Sequence, residues 1–361
     1  MKKIHMMFQT MVSVVGERAM DDAWAFDFPP TGRFVPVKVR DRCYWYFDQP
    51  DGKGKQSRRY VGPCEDPEIV KRVEDFSRVK TDYRIRRRLV ASLTRDGGLV
   101  AAEKISGSIV EAMAVSGLFR LGAVIVGTAA FQTYSTVLGI RLPFRSTMTG
   151  DADIAQDFVI SNDVRDSLPP FLELLHSVDP SFREIAQPAG SVVTASINDD
   201  GFKVEFLTTN RGSNDDLGSP SPTPAIGGDS AMRLGLMDFL VQAPIRTVLM
   251  HGAGVSVLVP DPARYGVHKL IAASRRLPLG DGALKNSKDV RQAEILFEAL
   301  AENRQSADIA FAYVDAWRRG PAWQEGIRKG AALMSDTGRT ALTAALKNGG
   351  RQIGETPILP F

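Results

Sequence analysis

An α+β fold is predicted for this 361-residue chain by three observations. Two pairs of β-rich runs, within 191–207 and 245–259, flank glycine-bearing turns in the pattern of hairpins. A cluster of aromatic and β-branched runs between 34 and 63 reads as a further small antiparallel sheet. The last third consists of long breaker-free segments punctuated by single Pro, Ser or Gly residues, as packed helices are. The length suggests two or three domains. We place them at 1–105 (sheet and helices), 106–225 (central core) and 226–361 (hairpin and helical region).

Composition sets outer limits. Hydrophobic residues make up 43% and charged residues 24%, ordinary values for a soluble protein. No apolar run approaches the roughly 20 residues a membrane helix needs. The start, Met1-Lys2-Lys3-Ile4-His5, lacks the apolar stretch and cleavage site of a secretory signal. A cytoplasmic protein without a membrane partner is therefore expected. Cys43 and Cys64 could pair, but two cysteines in a chain this long favour reduced thiols. Four histidines and two cysteines do not make a zinc cluster. A net charge of +3 does not by itself argue for nucleic acid.

In chain order, 6–24 reads as a helix ended by Pro29-Pro30. Strands follow at 34–39, 43–47 and 57–63, with Asp51-Gly52 marking a turn. Lys53, Lys55, Arg58 and Arg59 interleave with the aromatics of this sheet, as in surfaces that hold RNA or single strands. The plainer alternative buries the aromatics and leaves the lysines in solvent. Residues 66–92 read as a helix wrapped by Arg84, Arg86, Arg87 and Arg88, which is either a solvated face or a basic surface near an active site. Residues 99–120 continue as helix into an apolar strand at 123–126.

The chemistry concentrates just after this strand. Gly127 permits a tight turn from it into a helix. Asp151 and Asp153, on a strand, project from one face, with Ala152 and Ile154 on the other. Two such carboxylates stay ionised together only around a cation. Mg²⁺ (or Mn²⁺) takes carboxylates together with substrate phosphates, and a helix N-terminus offers N–H groups to the same phosphates. A solvated loop is the alternative, but Ile154, Ala155, Phe158, Val159 and Ile160 make poor loop residues.

A helix is expected over 163–179, with Pro169-Pro170 near its start or interrupting it. In the first hairpin Phe202, Val204 and Phe206 share one face, and Lys203, Glu205 and Leu207 the other. Glu205 is a carboxylate in the middle of an apolar strand, which costs energy unless it is paired; the plainer reading is an edge-strand residue facing water. The Gly/Ser/Pro-rich segment 210–230 reads as a long loop or lid, and 234–241 as helix or strand. His251, in the turn of the second hairpin, reads as a surface residue. Gly252-Ala253-Gly254 joins two strands and opens no helix, which excludes a dinucleotide fingerprint. Pro262 opens a helix to 276. After a break at 277–282, another helix runs from about 287, with Lys288, Asp289 and Gln292 in its first turns. Three helices fill 306–347, with Ser306 as a cap, Pro321 in a first turn, Gly349-Gly350 as the stop, and Trp317 and Trp323 as packing residues.

The order apolar residue, Gly127, Thr128, helix, then Asp151-Ala152-Asp153 on the next strand resembles the DNA polymerase β-type nucleotidyltransferases. Thr128 stands where Ser is usual, and the long gap to Asp151 implies an insertion around Leu138–Met148. The order Pro262-x-Arg264-Tyr265-x-x-His268-Lys269-Leu270, then Lys285-x-x-Lys288-Asp289-x-x-Gln292, resembles a bacterial nucleotidyltransferase family of poorly defined role. More loosely it is similar to the abortive-infection type nucleotidyltransferases, some of which are toxins acting on tRNA. Tyr44-Trp45-Tyr46 and Tyr60-Val61-Gly62-Pro63 extend the resemblance toward the N-terminus. It implies a polymerase β-type core within 106–225 and Mg²⁺-dependent transfer of an NMP group from an NTP to an acceptor. Asp151, Asp153 and Glu205 would hold metal, Glu205 also helping to activate the acceptor hydroxyl. Gly127 and Thr128 would approach the phosphates. Lys269 and Arg145 would neutralise charge on pyrophosphate, and Lys288 and Asp289 would lie beside the triphosphate. The implied acceptor is RNA or tRNA, with an antitoxin as a further partner. A small-molecule-modifying nucleotidyltransferase and a non-catalytic nucleotide-binding module are the competing readings. Lys269 also reads as a helix-surface lysine, and Asp289 as a helix-start carboxylate.

Overall fold

The computed structural model describes residues 2–22, 28–50, 56–143, 151–156, 171–185, 195–209, 220–222, 230–234, 236–275 and 281–361, with 21–22, 50, 56, 151–156, 206–209, 220–222, 230–234 and 281–283 as backbone. The chain opens with α1 (Met6–Asp22) and an antiparallel sheet of β1 (Arg33–Val39), β2 (Arg42–Pro50) and β3 (Gln56–Pro63), in that order. Helix α2 (Pro67–Arg95) begins where the sequence predicts: the Asp66 side chain accepts from the Glu68 and Ile69 amides at 2.9 and 3.4 Å, and Pro67 needs no donor there. Phe34, Phe47 and Val61 on one face of the sheet pack with Phe28 and with Phe76 of α2.

Two expectations for this region are corrected. Cys43 and Cys64 are bonded, with Cα atoms 5.3 Å apart. The start of β2 and the residue after β3 are brought together by the sheet, and the Cys64 amide donates to the Cys43 carbonyl at 3.0 Å; a separation of 21 residues hides this in the sequence. Nor is the arginine run wholly solvated. Arg86 is 1% exposed, and it donates to Asp82 Oδ2 at 2.8 Å and to the Ala253 carbonyl at 3.2 Å. Burial lowers its pKa to about 10.

Helix α3 (Lys104–Ser116) is shorter than expected, because Gly117 at φ 88 caps it. A seven-stranded sheet follows, built from β4 (Ala123–Val126), β5 (Asp151–Gln156), β6 (Arg183–Glu184), β7 (Ala195–Ile197), β8 (Lys203–Thr209), β9 (Pro220–Pro222) and β10 (Ser230–Leu234). Its main order is β4-β5-β8-β10-β9. Strand β5 lies antiparallel to β4 and parallel to β8, while β7 pairs antiparallel with β8 as the first hairpin predicts. Helices α4 (Gly127–Leu138) and α5 (Phe171–Val178) belong to this part. The segment expected to be a loop at 210–230 instead contributes β9 and the start of β10. Pro220 and Pro222 are tolerated because β9 is an edge strand. The expected residues 163–170, 191–194 and 210–219 lie outside the described residues.

The remainder is α6 (Met237–Leu240), the antiparallel pair β11 (Ile245–Leu249) and β12 (Val255–Val259), then α7 (Pro262–Arg275), α8 (Asp281–Glu302), α9 (Ser306–Arg318), α10 (Pro321–Ala332) and α11 (Asp336–Ile353). Helix α11 runs through Gly349-Gly350. These glycines mark close packing, since a Cβ on Gly349 would run into the Ser306 carbonyl oxygen and one on Gly350 would meet Pro357 Cδ at 2.5 Å. The stop is Gly354, at φ 70. Gln305 occupies the cap expected of Ser306. One buried cluster runs from Ile109 to Leu346 and takes in β4, α4, β12 and the helices after it. A smaller one (Ile4, Val15, Val90, Leu93, Leu99 with Val248 and Met250) docks α1 and α2 on the β11–β12 hairpin. Among the described residues no helix is long and apolar enough to cross a membrane.

Candidate functional site

Strand β4, Ala-Val-Ile-Val, is buried along its whole length and delivers the chain to Gly127. Val126 is extended and Gly127 has φ 65, so the turn into α4 uses backbone that a side chain resists. Register then sets the acidic positions. Asp153 stands opposite Val126 on one side and beside Glu205 on the other, and Asp151 beside Lys203. Neighbouring strands lie about 4.8 Å apart, so positions 151, 153, 203 and 205 share one face of the sheet beside the start of α4. The opposite face carries Phe202 and Val204, which are buried, as the alternation predicts. Glu205 is half-buried and accepts a bond from Lys203 Nζ on its own strand.

Helices α7 and α8 close on the same turn. The Tyr265 hydroxyl donates to the Gly127 carbonyl at 2.8 Å, and Gln292 Oε1 lies 3.3 Å from it. Tyr265 is fully buried beside Tyr134, with ring centroids 5.2 Å apart. Lys269, one helical turn on, donates to Asp289 Oδ1 at 2.6 Å, and its Nζ stands 5.2 Å from the Tyr265 ring centroid. Lys288 Nζ donates to the Thr128 hydroxyl at 3.0 Å. Asp261 caps α7 by accepting from the Ala263 and Arg264 amides at 2.9 and 3.1 Å, and burial pushes its pKa up.

Gly127, Thr128, Lys269, Lys288 and Asp289 are thus brought together. Two plain alternatives are corrected. Lys269 is no helix-surface lysine, since it is 9% exposed in a buried ion pair. Asp289 is no helix-start carboxylate, since α8 begins at Asp281 and Asp289 is 3% exposed. Arg145 lies outside the described residues, and Asp151 and Asp153 are described as backbone. Among the described residues no group of three or more His, Cys, Asp or Glu is gathered to hold a metal.

Tyr265 and Gln292 were missed as site residues. Their signal is spacing: Tyr265 and Lys269 are four apart, as are Lys288 and Gln292, and such pairs share a helix face. His251 is also corrected. Its side chain is 16% exposed and lies 3.6 Å from Glu111 and 3.5 Å from Ser108, with its pKa lowered by burial. It belongs to the α3 contact, away from the turn at Gly127.

The arrangement sets the N-terminus of α4, Lys288 and a row of acidic positions around one turn, with the Lys269–Asp289 pair beside Tyr265, which is chemistry suited to a polyanion carrying a hard cation. None of the curated proteins compared with this chain matches it. The model of a family described as "Nucleotidyltransferase" matches residues 104–318, from the first residue of α3 to the last of α9 and over more than half of the chain. With every residue of the candidate site inside that span, the chain belongs to this nucleotidyltransferase family.

Proposed function

We propose that the chain transfers a nucleotidyl group from a Mg²⁺-bound nucleoside triphosphate to an acceptor hydroxyl, using a polymerase β-type core. One observation carries this reading: the register that puts Asp153 between Val126 and Glu205, directly beside the turn that Lys288 reaches at Thr128 and Tyr265 reaches at Gly127. The donor set at 151, 153 and 205 is all carboxylate, which suits Mg²⁺ or Mn²⁺ and not a soft metal. Bound there, the metal would supply charge stabilisation for the attacking and leaving oxygens.

The chain's own residues do the rest. The first N–H groups of α4 donate to phosphate oxygens. Lys288, held at Thr128, supplies positive charge where it develops on the leaving pyrophosphate. Lys269 and Asp289 hold α7 against α8, and Tyr265 fixes the carbonyl of Gly127, so the turn is set before substrate arrives. Glu205 takes the proton of the acceptor hydroxyl as its oxygen attacks the α-phosphorus and the bond to the β-phosphate breaks. A triphosphate panel with Mg²⁺ or Mn²⁺ tests this by pyrophosphate release and label transfer, with RNA and small hydroxyl compounds as acceptors. Release that persists in Asp153→Asn overturns it.

The ion pair of Glu205 with Lys203 favours a second reading, in which the site holds a nucleotide without turning it over. Tight, metal-dependent NTP binding with no pyrophosphate from any acceptor would select it.

A further inference from the structure

The β1–β3 sheet lies before the matched span and, among the described residues, packs one face on Phe76 of α2. Its other face carries Tyr44 and Tyr46 of β2 and Tyr60 of β3, set side by side by the register Tyr46↔Tyr60. The Tyr44 and Tyr60 ring centroids are 5.9 Å apart, and those of Tyr46 and Tyr60 are 5.5 Å apart. Tyr60 is 54% exposed. Val35 and Val37 of β1 pair with Tyr46 and Tyr44 and extend the same face.

Cations rim these rings. The side chains of Arg33 and Arg58 are 63% and 50% exposed, and Arg58 lies 5.9 Å from the Tyr46 ring centroid. One carboxylate, Asp48, is buried beneath them. It accepts from Arg58 Nε and Nη2 at 2.6 and 2.8 Å, and Arg33 stands 3.8 Å away, so it offsets one of the two charges. Arg42, at the head of β2, is exposed, as are Lys38 and Arg40 in the hairpin. Residues 28–63 hold eight Lys and Arg against three Asp, although the whole chain is only +3.

We propose that this face binds a single-stranded nucleic acid, with bases stacked on Tyr44, Tyr46 and Tyr60 and phosphates met by Arg33, Arg42 and Arg58. Open aromatic faces interleaved with cations suit unpaired bases, whereas a duplex keeps its base faces stacked internally. An acidic peptide would use the arginines and leave the row of rings without a role. That the bound strand is also the acceptor of the transfer reaction rests on the function proposed above; binding at the sheet does not.

The test is fluorescence anisotropy of labelled oligouridylate and oligothymidylate of ~12 nucleotides, and of an RNA duplex, with the full chain and no triphosphate, at about 50 and about 200 mM salt. Both single strands should bind, more weakly at the higher salt, with the duplex about tenfold weaker or worse. Tyr44→Ala/Tyr60→Ala should weaken binding about tenfold or more at either salt. Arg42→Ala should chiefly flatten the salt dependence. If circular dichroism shows the double variant to be misfolded, the exposed Tyr60→Ala replaces it. Absence of single-strand binding at the lower salt, duplex binding as tight, or a tyrosine variant that binds like the natural chain overturns the proposal. Asp153→Asn should bind as the natural chain does, so the binding surface and the transferase reading fail separately.

Discussion

Among the described residues between 104 and 318, every helix and the strands β4, β8, β11 and β12 feed one buried cluster, whereas the sheet at 33–63 buries little beyond Phe47, with Phe28 and Phe76 beside it, and is closed by a disulfide and an arginine–aspartate pair. The first region is held by area removed from water, which specifies a turn such as that at Gly127 through many neighbours at once. The second is held by a few discrete ties and spends its outer face on exposed tyrosine and arginine. The contrast suggests a division of work, with chemistry set in the densely packed part and contact with a large partner left to the added sheet.

The largest expected effect tests that division directly. Asp151→Asn or Asp153→Asn should lower transfer at least about a hundredfold, as loss of a charge-stabilising group does, while the thermal midpoint stays put. Tyr44→Ala/Tyr60→Ala should raise the KM for a polymeric acceptor and leave kcat largely unchanged. If the tyrosine variant abolished turnover on a small acceptor, the two regions would not be separable. The Lys269–Asp289 pair comes next. Lys269→Met strands a buried carboxylate and should cost about 3–5 kcal/mol in urea unfolding, whereas Lys269→Met/Asp289→Leu should cost less, because no charge is left buried alone.

A smaller effect is expected from Cys43→Ser/Cys64→Ser. A loop of this length is worth about 3 kcal/mol in the chain-entropy account. That loss should show as faster amide exchange in β1–β3, with the amides of β4 unchanged. Equal acceleration in β4 would mean that the sheet and the family unit open together, and the comparison would have to be redrawn around the Val90–Val248 contact between α2 and β11.

Legibility followed the same divide. The strand–Gly127–helix turn and the two hairpins could be read because each is a local pattern, with glycine and alternation acting within a few residues. What failed was non-local. The Cys43–Cys64 bond and the burial of Arg86 against Ala253 depend on partners brought together by the fold. Gly349-Gly350 looked like a stop because close packing against Ser306 and Pro357 leaves no trace in the helix's own sequence. Lys269 and Asp289 were picked by motif order, but their pairing with each other needed α7 to lie against α8. At 151 and 153 both sequence and backbone register agree on a shared face; Glu205 was expected on a strand beside them through the resemblance alone, and the register sets it next to Asp153.

The smallest effect concerns the cap of α7, the helix that carries Tyr265 and Lys269. Burial is the main cause of the raised Asp261 pKa; Asp308 pushes the same way, while the Ala263 and Arg264 amides and the Arg264 charge oppose it. A carboxyl whose pKa is higher folded than unfolded binds protons more readily in the folded state. Stability from this group therefore rises as pH falls through the folded value toward the ordinary carboxylate range, and is lost again as pH rises. Asp261→Asn keeps an oxygen to accept from the two amides but cannot titrate. Measured as urea midpoints from acid to neutral pH, the natural chain should gain on Asp261→Asn as the medium is acidified. The opposite slope would mean that the capping bonds outweigh burial, and that the dense packing of the family unit does not extend to this helix start.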